Sequence, residues 1–234
     1  MSHSVHPYSH RLGIIRDWKS RWFSTHKGYR TALKTDLIIR EFLVKELRTF
    51  YLAGVQIERN QKSLRVTIRT SRPGMIIGRS GDGAVKLREK ILGLLKKRGI
   101  ELIGQEFKLD IEEVRNPESN AAIAAMMVAE GLEKRLPFRR VMKQTLEKIL
   151  ANKEVKGAKI KLSGRLGGAD MARREDLKKG QIPLQTLRAD IDFAREKAHM
   201  TYGDIGIKVW IYKGQIFEKD LKNQNSNNSS NNNR

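Results

Sequence analysis

Residues 70–85 read Thr70-Ser71-Arg72-Pro73-Gly74-Met75-Ile76-Ile77-Gly78-Arg79-Ser80-Gly81-Asp82-Gly83-Ala84-Val85, and the reading of these glycines decides the fold. Two nucleotide-binding readings fail on them. A Walker-type loop needs Lys and then Ser or Thr after its last glycine, to reach the phosphates and the magnesium, but Ala84-Val85 follow Gly83. A dinucleotide fingerprint needs a third glycine where Lys86 stands. What remains is Gly78-Arg79-Ser80-Gly81, preceded by Ile76-Ile77 and followed by the apolar Val85. Two glycines let the backbone approach a sugar-phosphate closely, and the following helix N-terminus turns N–H groups and positive partial charge toward it. Arg79 adds a phosphate-seeking cation. A tight strand-to-helix turn with no ligand needs the same four residues, so the flanking elements must decide.

Upstream, Ile38, Ile39, Phe42, Leu43, Leu47 and Phe50 recur at helical spacing, with Asp36 as N-cap and Gly54 just past the end. Val55 and Ile57, then Leu64, Val66 and Ile68, alternate with polar residues as two strands turned at Asn60-Gln61. Downstream, Val85, Leu87, Ile91, Leu92, Leu94 and Leu95 make a second helix closed by Gly99, and Phe107, Leu109 and Ile111 alternate as a third strand. The order is helix, strand, strand, glycine loop, helix, strand. With its Gly-X-X-Gly loop, this order resembles a type II KH domain over residues 35–114. That resemblance implies a three-stranded sheet with helices on one face and a groove for about four single-stranded nucleotides.

Composition shifts near Val114–Pro117, where a domain boundary is expected. Asn116-Pro117-Glu118 has the form of a helix start, with a capping Asn, Pro at the first position and an acid in the first turn. That helix carries Ile123, Met126, Met127, Val128 and Leu132. Pro137 interrupts the pattern, and another helix runs from about Phe138 to Leu150. Strand patterns follow at Ile160–Leu162, Leu187–Phe193 and Ile205–Ile211. The class is therefore α+β, with a KH unit and a second domain over 115–217 of two helices on a mixed or antiparallel sheet. Residues 1–34 read as an extended basic arm ordered by its partner, and residues 218–234, nearly all Asn and Ser beyond Lys222, as a disordered tail.

The chain of 234 residues carries 47 Lys and Arg against 26 Asp and Glu, a net charge of +21. Such an excess opposes compaction unless a polyanion neutralises it. Nucleic acid and an anionic membrane surface are the two candidates. A membrane-surface helix needs a broad apolar face, whereas the cations here are spread over helices, strands and loops, which favours nucleic acid. No window approaches a spanning helix, and no secretory signal is recognisable at the start. With no cysteine, disulfides, thiol nucleophiles and thiolate metal sites are excluded. The five histidines lack zinc-hydrolase spacing. Asp190 and Asp192, the best acidic pair, are expected to be matched by Arg188 and Arg195 rather than by magnesium. No catalytic residue, metal or cofactor is expected.

The basic residues cluster. In the helix from Phe138, the residues Phe138, Val141, Met142, Leu146 and Ile149 share one face, while Arg139, Arg140 and Lys143 project from the other. Lys134 to Arg165 holds 11 basic residues against Glu147 and Glu154, too few acids for the interleaving of a merely solvated helix. This reads as a track for a phosphate backbone. Arg72 beside the glycine loop, Arg165 in Ser163-Gly164-Arg165-Leu166-Gly167-Gly168-Ala169-Asp170, and Arg173-Arg174 after it are further RNA-binding candidates. So are Arg11, Arg16, Lys19 and Arg21 of the arm. Trp18 and Trp22 either stack on bases or seal a core edge.

Several long stretches are similar to small-subunit ribosomal protein three of bacterial type. They are Val5-His6-Pro7 with Arg11-Leu12-Gly13-Ile14-Ile15, the stretch Thr70–Gly81, Ser163–Ala169 with Ala172-Arg173, and Pro183-Leu184-Gln185-Thr186-Leu187-Arg188-Ala189-Asp190-Ile191-Asp192. Ala198-His199, Thr201-Tyr202-Gly203 and Gly206-Ile207-Lys208-Val209-Trp210-Ile211 continue the match, which spans residues 5–217. The resemblance implies a non-enzymatic constituent of the small-subunit head in a cytoplasmic ribosome. It implies binding to ribosomal RNA beside proteins ten and fourteen, with no homo-oligomer and no membrane. It also implies that, with proteins four and five, the chain lines the tunnel through which messenger RNA enters. Arg139, Arg140 and Lys143 match the residues that assist message unwinding there. The alternatives are a free KH-type RNA chaperone and a nucleic-acid lyase. The His-rich opening and the Asn-rich tail depart from the family pattern.

Overall fold

A computed structural model of the chain describes residues 5–100 and 105–217. The described chain forms two compact units. One is Lys19–Pro117, and the other joins the chain up to Trp18 with the chain from Glu118 onward. The expected disordered tail, residues 218–234, lies outside the described residues.

The first unit contains β1 (Ser20–Arg21), α2 (His26–Glu46), β2 (Leu52–Arg59), β3 (Ser63–Thr70), α3 (Pro73–Ile77), α4 (Asp82–Lys97) and β4 (Glu106–Glu113), α1 being the short helix Pro7–His10 of the other unit. The sheet has four strands in the order β1-β2-β3-β4, one more than expected. The addition is the two-residue β1, parallel to β2 at Ser20↔Ile57 and Arg21↔Glu58 and too short to show any periodicity. β2 and β3 are antiparallel, and β4 runs parallel to β3. The alternating residues behave as expected: Val55, Ile57, Leu64, Val66 and Ile68 are buried with Ile39 and Leu43 of α2, Leu47 just after it, and Leu87, Ile91 and Leu95 of α4.

Helix α2 starts at His26, ten residues before the expected cap. In its first turns the small Ala32 is buried while Tyr29 and Leu33 are half exposed, so hydrophobic spacing does not reveal them. Asp36 is inside the helix rather than capping it. It is buried and accepts hydrogen bonds from Trp22 Nε1 at 2.7 Å and from the Arg59 guanidinium at 3.2 Å. Trp22 also lies 5.1 Å from the Tyr29 ring. It therefore seals an edge of this unit, whereas Trp18 is 59% exposed.

The second unit packs α5 (Ala121–Glu133) and α6 (Phe138–Ala151) on one face of a sheet of β5 (Gly157–Gly164), β6 (Arg173–Gly180), β7 (Ala189–Met200) and β8 (Gly203–Gln215). The order is β6-β5-β8-β7, all neighbours antiparallel. Ala121, Ala124, Ala125 and Ala129 keep α5 close to the strands. A Cβ on Gly131 would meet Val141 at 2.9 Å, so the two helices touch almost backbone to side chain. The cap of α5 is Asn120, whose Oδ1 accepts from Ala122 N at 2.9 Å and Ile123 N at 3.4 Å, rather than Asn116. Residues Pro117–Ser119 form a separate 3-10 turn. Strand β6 escaped the sequence reading because its residues, apart from the half-buried Glu175, are exposed and do not alternate.

Residues 5–34 are thus not one extended arm. Part of the segment enters α2, and the part up to Trp18 packs on the second unit, where α1 lies against β7. His6 sits edge-on to Phe193 with ring centroids 4.7 Å apart. Arg11 has no exposed surface. Its Nε donates to Ala189 O at 2.7 Å, Nη1 to Pro7 O at 3.0 Å, and Nη2 to Leu184 O at 2.8 Å and Thr186 O at 2.9 Å. Burial draws the Arg11 guanidinium below its ordinary pKa; Asp190 opposes that shift and Arg16 adds to it. Arg16 pairs with Asp190 at 2.5 Å, and Asp192 accepts from Ala121 N at 2.8 Å. The expected partners Arg188 and Arg195 are therefore not those of the two aspartates.

Candidate nucleic-acid interfaces

The glycine loop joins α3 to α4 through two left-handed glycines, Gly78 (φ 72°) and Gly81 (φ 87°), with Ser80 also at positive φ (57°). A non-glycine residue in that region carries strain. Gly83 is as constrained as the two motif glycines, because a Cβ there would lie 2.4 Å from Ile76 O and 2.9 Å from Ile77 O. Gly83 lets α4 start hard against the last turn of α3. Gly78, Arg79 and Ser80 are exposed, and the N-terminus of the 16-residue α4 has no side-chain cap. The Asp82 N–H donates to Arg79 O, and the N-terminal end of the helix beyond it is left to an anion rather than to a side chain.

Beside the loop, Ala84, Val85 and Arg88 of α4 face Glu106–Asp110 of β4 across an open groove of about 390 Å³. Val85 is 56% exposed, and Met75 and Ile77 also show apolar surface to solvent. Backbone N–H groups, an arginine and exposed apolar side chains thus stand together, as a strand of unstacked nucleotides requires. Arg72 is exposed nearby, its guanidinium 4.6 Å from the Tyr51 ring centroid.

The second constellation is built on α6. Its buried face is Val141, Met142, Thr145, Leu146 and Ile149, so Arg139, Arg140 and Lys143 fall on the exposed side. Two arginines in a first turn with no acid oppose the helix macrodipole. Structure alone does not favour that placement; an anion bound there would. Arg139 reaches Glu175 of β6 at 3.3 Å, and Arg173 reaches the same carboxylate at 3.2 Å. Both guanidiniums also lie over the Phe138 ring, at 5.6 and 5.5 Å. Glu175 and Phe138 therefore hold two arginines side by side. Spacing places Phe138 on the apolar face of the helix and gives Glu175 no link to it; the β5–β6 pairing brings Glu175 under Arg139. Arg140 and Lys143 have no partner among the described residues.

The remaining candidates separate. Arg11 is withdrawn from the RNA-binding set, since its donors are spent on carbonyls in the interior. Arg16 is held by Asp190. Lys19 and Arg21 are exposed at the edge of the first unit, Arg21 3.4 Å from Glu58. Arg165 folds back on its own glycine turn, donating to Ala169 O at 2.9 Å and Asp170 at 3.0 Å. Arg174 projects from the sheet face opposite Arg173. Among the described residues no cluster of His, Cys, Asp and Glu could hold a metal ion, and no helix is long and apolar enough to cross a membrane.

Comparison with known proteins agrees with this division. The family model "KH domain" matches residues 38–119, and "Ribosomal protein S3, C-terminal domain" matches residues 128–211. The chain is 46% identical over 219 residues to the small ribosomal subunit protein uS3 of Caldicellulosiruptor saccharolyticus, covering 92% of this chain and 94% of that one. It is 43% identical to the Clostridium novyi protein of the same name, with the same coverage. For that of Blochmanniella floridana the identity is 42%, over 94% of this chain and 90% of the relative.

Proposed function

The chain belongs to the uS3 family of small-ribosomal-subunit proteins, structural components rather than enzymes, and on that premise we propose that it binds two kinds of RNA. Ribosomal RNA is held through the KH loop Gly78-Arg79-Ser80-Gly81 and the basic surfaces of both units. Incoming messenger RNA is met by Arg139, Arg140 and Lys143 on α6. The observation that carries the second half is the pair of arginines in the first turn of α6, set against the dipole and aligned by Glu175 and Phe138. Fixed cations can hold separated strands while translocation supplies the work, so unwinding needs no nucleotide hydrolysis by this chain. Proteins ten and fourteen are its neighbours in the head, and proteins four and five complete the tunnel for the message.

The test is translation by small subunits reconstituted with the Arg139→Ala, Arg140→Ala, Lys143→Ala triple variant. Elongation through a stable hairpin is expected to slow severalfold while an unstructured message is read at the normal rate. Equal slowing on both messages would remove the unwinding role. Recovery of the wild-type chain away from the small subunit on a salt-washed gradient would favour a free RNA chaperone.

A further inference from the structure

The sheet of the second unit has two faces with different fates. Helices α5 and α6 cover the inner one. On the outer face, one end carries a small core of Ala189, Ile191 and Tyr212 with Ile182 and Trp210 against it. The rest of the outer face is uncovered, and its side chains follow from the strand register. Lys161 of β5 is opposite Lys208 of β8, and Lys208 is opposite Arg195 of β7. Three cations thus lie in one row across three neighbouring strands. Lys178 is opposite Lys159 in the row above, and Arg174 opposite Ser163 in the row below.

Like charges directly opposite on neighbouring strands repel and destabilise a sheet. The counter-charge on this face is scant. Asp176 of β6 stands opposite Lys161 at the end of the same row, but its carboxyl is engaged by Lys159 at 2.6 Å, and that hydrogen bond, with the charges of Lys159 and Lys161, holds it below the usual aspartate range. Asp204 is engaged by His199 at 2.7 Å. Lys161, Lys208 and Arg195 form no ion pair among the described residues.

The other sheet of the same chain provides an internal comparison. On its exposed face Arg65 meets Asp110 at 3.3 Å, Arg69 meets Glu112 at 2.8 Å, Lys108 meets Glu106 at 3.2 Å and Arg21 meets Glu58 at 3.4 Å. There each cation has its carboxylate, as a solvated face should. In the second unit the compensation is missing.

We propose that the uncovered part of this outer face is an RNA-phosphate-binding surface that takes a sugar-phosphate backbone across Lys161, Lys208 and Arg195. It lies on the opposite side of the sheet from α6. The second unit then grips RNA on both sides of one sheet and bridges two segments. Neighbouring strands are roughly 4.8 Å apart, so the three cations span roughly 10 Å of the sheet surface. The bare rows hold no large apolar side chain to anchor a protein partner. The half-buried Trp210 borders them and offers a ring for a base. The surface rests on the reading of the chain as RNA-binding; only the bridging rests also on the role given to α6.

The experiment compares full-length variants for binding a short fluorescent oligouridylate over a range of salt. One variant carries Lys161→Gln, Arg195→Gln and Lys208→Gln; a second carries the three α6 alanines. A third, matched in charge, carries Lys45→Gln, Lys96→Gln and Lys97→Gln in the first unit. Each phosphate contact on a single strand contributes about 0.7 to the slope of log affinity against log salt. The sheet variant should therefore flatten that slope by about 2 relative to the charge-matched control, with its melting temperature unchanged or raised. It should also abolish the capture of a second RNA by protein already bound to an immobilised first. A slope equal to the control's overturns the proposal, as does competition by polyglutamate and not by RNA. Loss in the α6 variant alone would sink this surface and leave the proposed function standing. Loss in the sheet variant alone would do the reverse.

Discussion

Replacing Arg11 tests whether residues 5–18 belong to the second unit's core or to an RNA-seeking arm. The guanidinium is fully buried and donates to four carbonyls, those of Ala189, Pro7, Leu184 and Thr186, at 2.7 to 3.0 Å. A hydrogen bond to a charged group is worth about 1.5–3 kcal/mol, but these four share one side chain and do not add. Removing one side of a buried charged network costs roughly 3–5 kcal/mol, and that is the figure for Arg11→Ala. Set against a typical total of about 5–15 kcal/mol, it opens the second unit substantially. Arg11→Lys keeps the charge but replaces a planar fork by a point. It cannot serve Ala189 and Leu184–Thr186 together, and the loss should be about 2 kcal/mol. Hydrogen exchange on the intact chain is the assay. In Arg11→Ala, amides of β7 and β8 should lose protection while those of α4 and β3 keep theirs. Unchanged protection in β7, with weaker RNA binding and a flatter salt slope, would refute the reasoning and return Arg11 to the RNA-binding set.

Two further substitutions probe the candidate interfaces. Gly83→Ala places a methyl group 2.4 Å from Ile76 O, so the α3–α4 junction must shift; a loss of roughly 1–3 kcal/mol and weaker oligonucleotide binding are expected by thermal melting and anisotropy, and a variant with wild-type values for both would mean the junction is slack. Glu175→Gln removes the carboxylate shared by Arg139 and Arg173; RNA affinity should rise at low salt with a steeper salt dependence, and weaker binding would mean that Glu175's alignment of the arginines outweighs its neutralising charge.

The first unit was legible because its signals are local. The glycine loop, the two alternating strands before it and the amphipathic helix after it each declare themselves within a dozen residues. What escaped is what depends on distant partners. Nothing near Arg11 indicates that its acceptors lie at residues 184–189, so a cation among cations reads as part of an arm. Strand β6 has no alternation, since it pairs at the sheet's edge with charged side chains on both faces. The basic stripe of α6 was readable from spacing alone. Glu175 was not, because only the β5–β6 pairing brings it under Arg139. The row Lys161, Lys208, Arg195 was likewise invisible, since each residue comes from a different strand and only the register aligns them.

The placement of the chain up to Trp18 on a unit that otherwise begins at Glu118 makes the Lys19–Pro117 unit an insertion within its neighbour. Synthesis runs from one end, so the order of completion is set. Arg11 leaves the exit channel 178 residues ahead of Ala189, whose carbonyl it must meet. At about 5–20 residues per second that is a wait of roughly 10–35 s. The inserted unit has all its strands in hand long before then and can close first. The opening segment must stay unclaimed meanwhile, carrying a cation whose final environment does not yet exist. Conditions that slow the last hundred residues should therefore lengthen the time in which this end is open to proteases, while leaving the inserted unit protected.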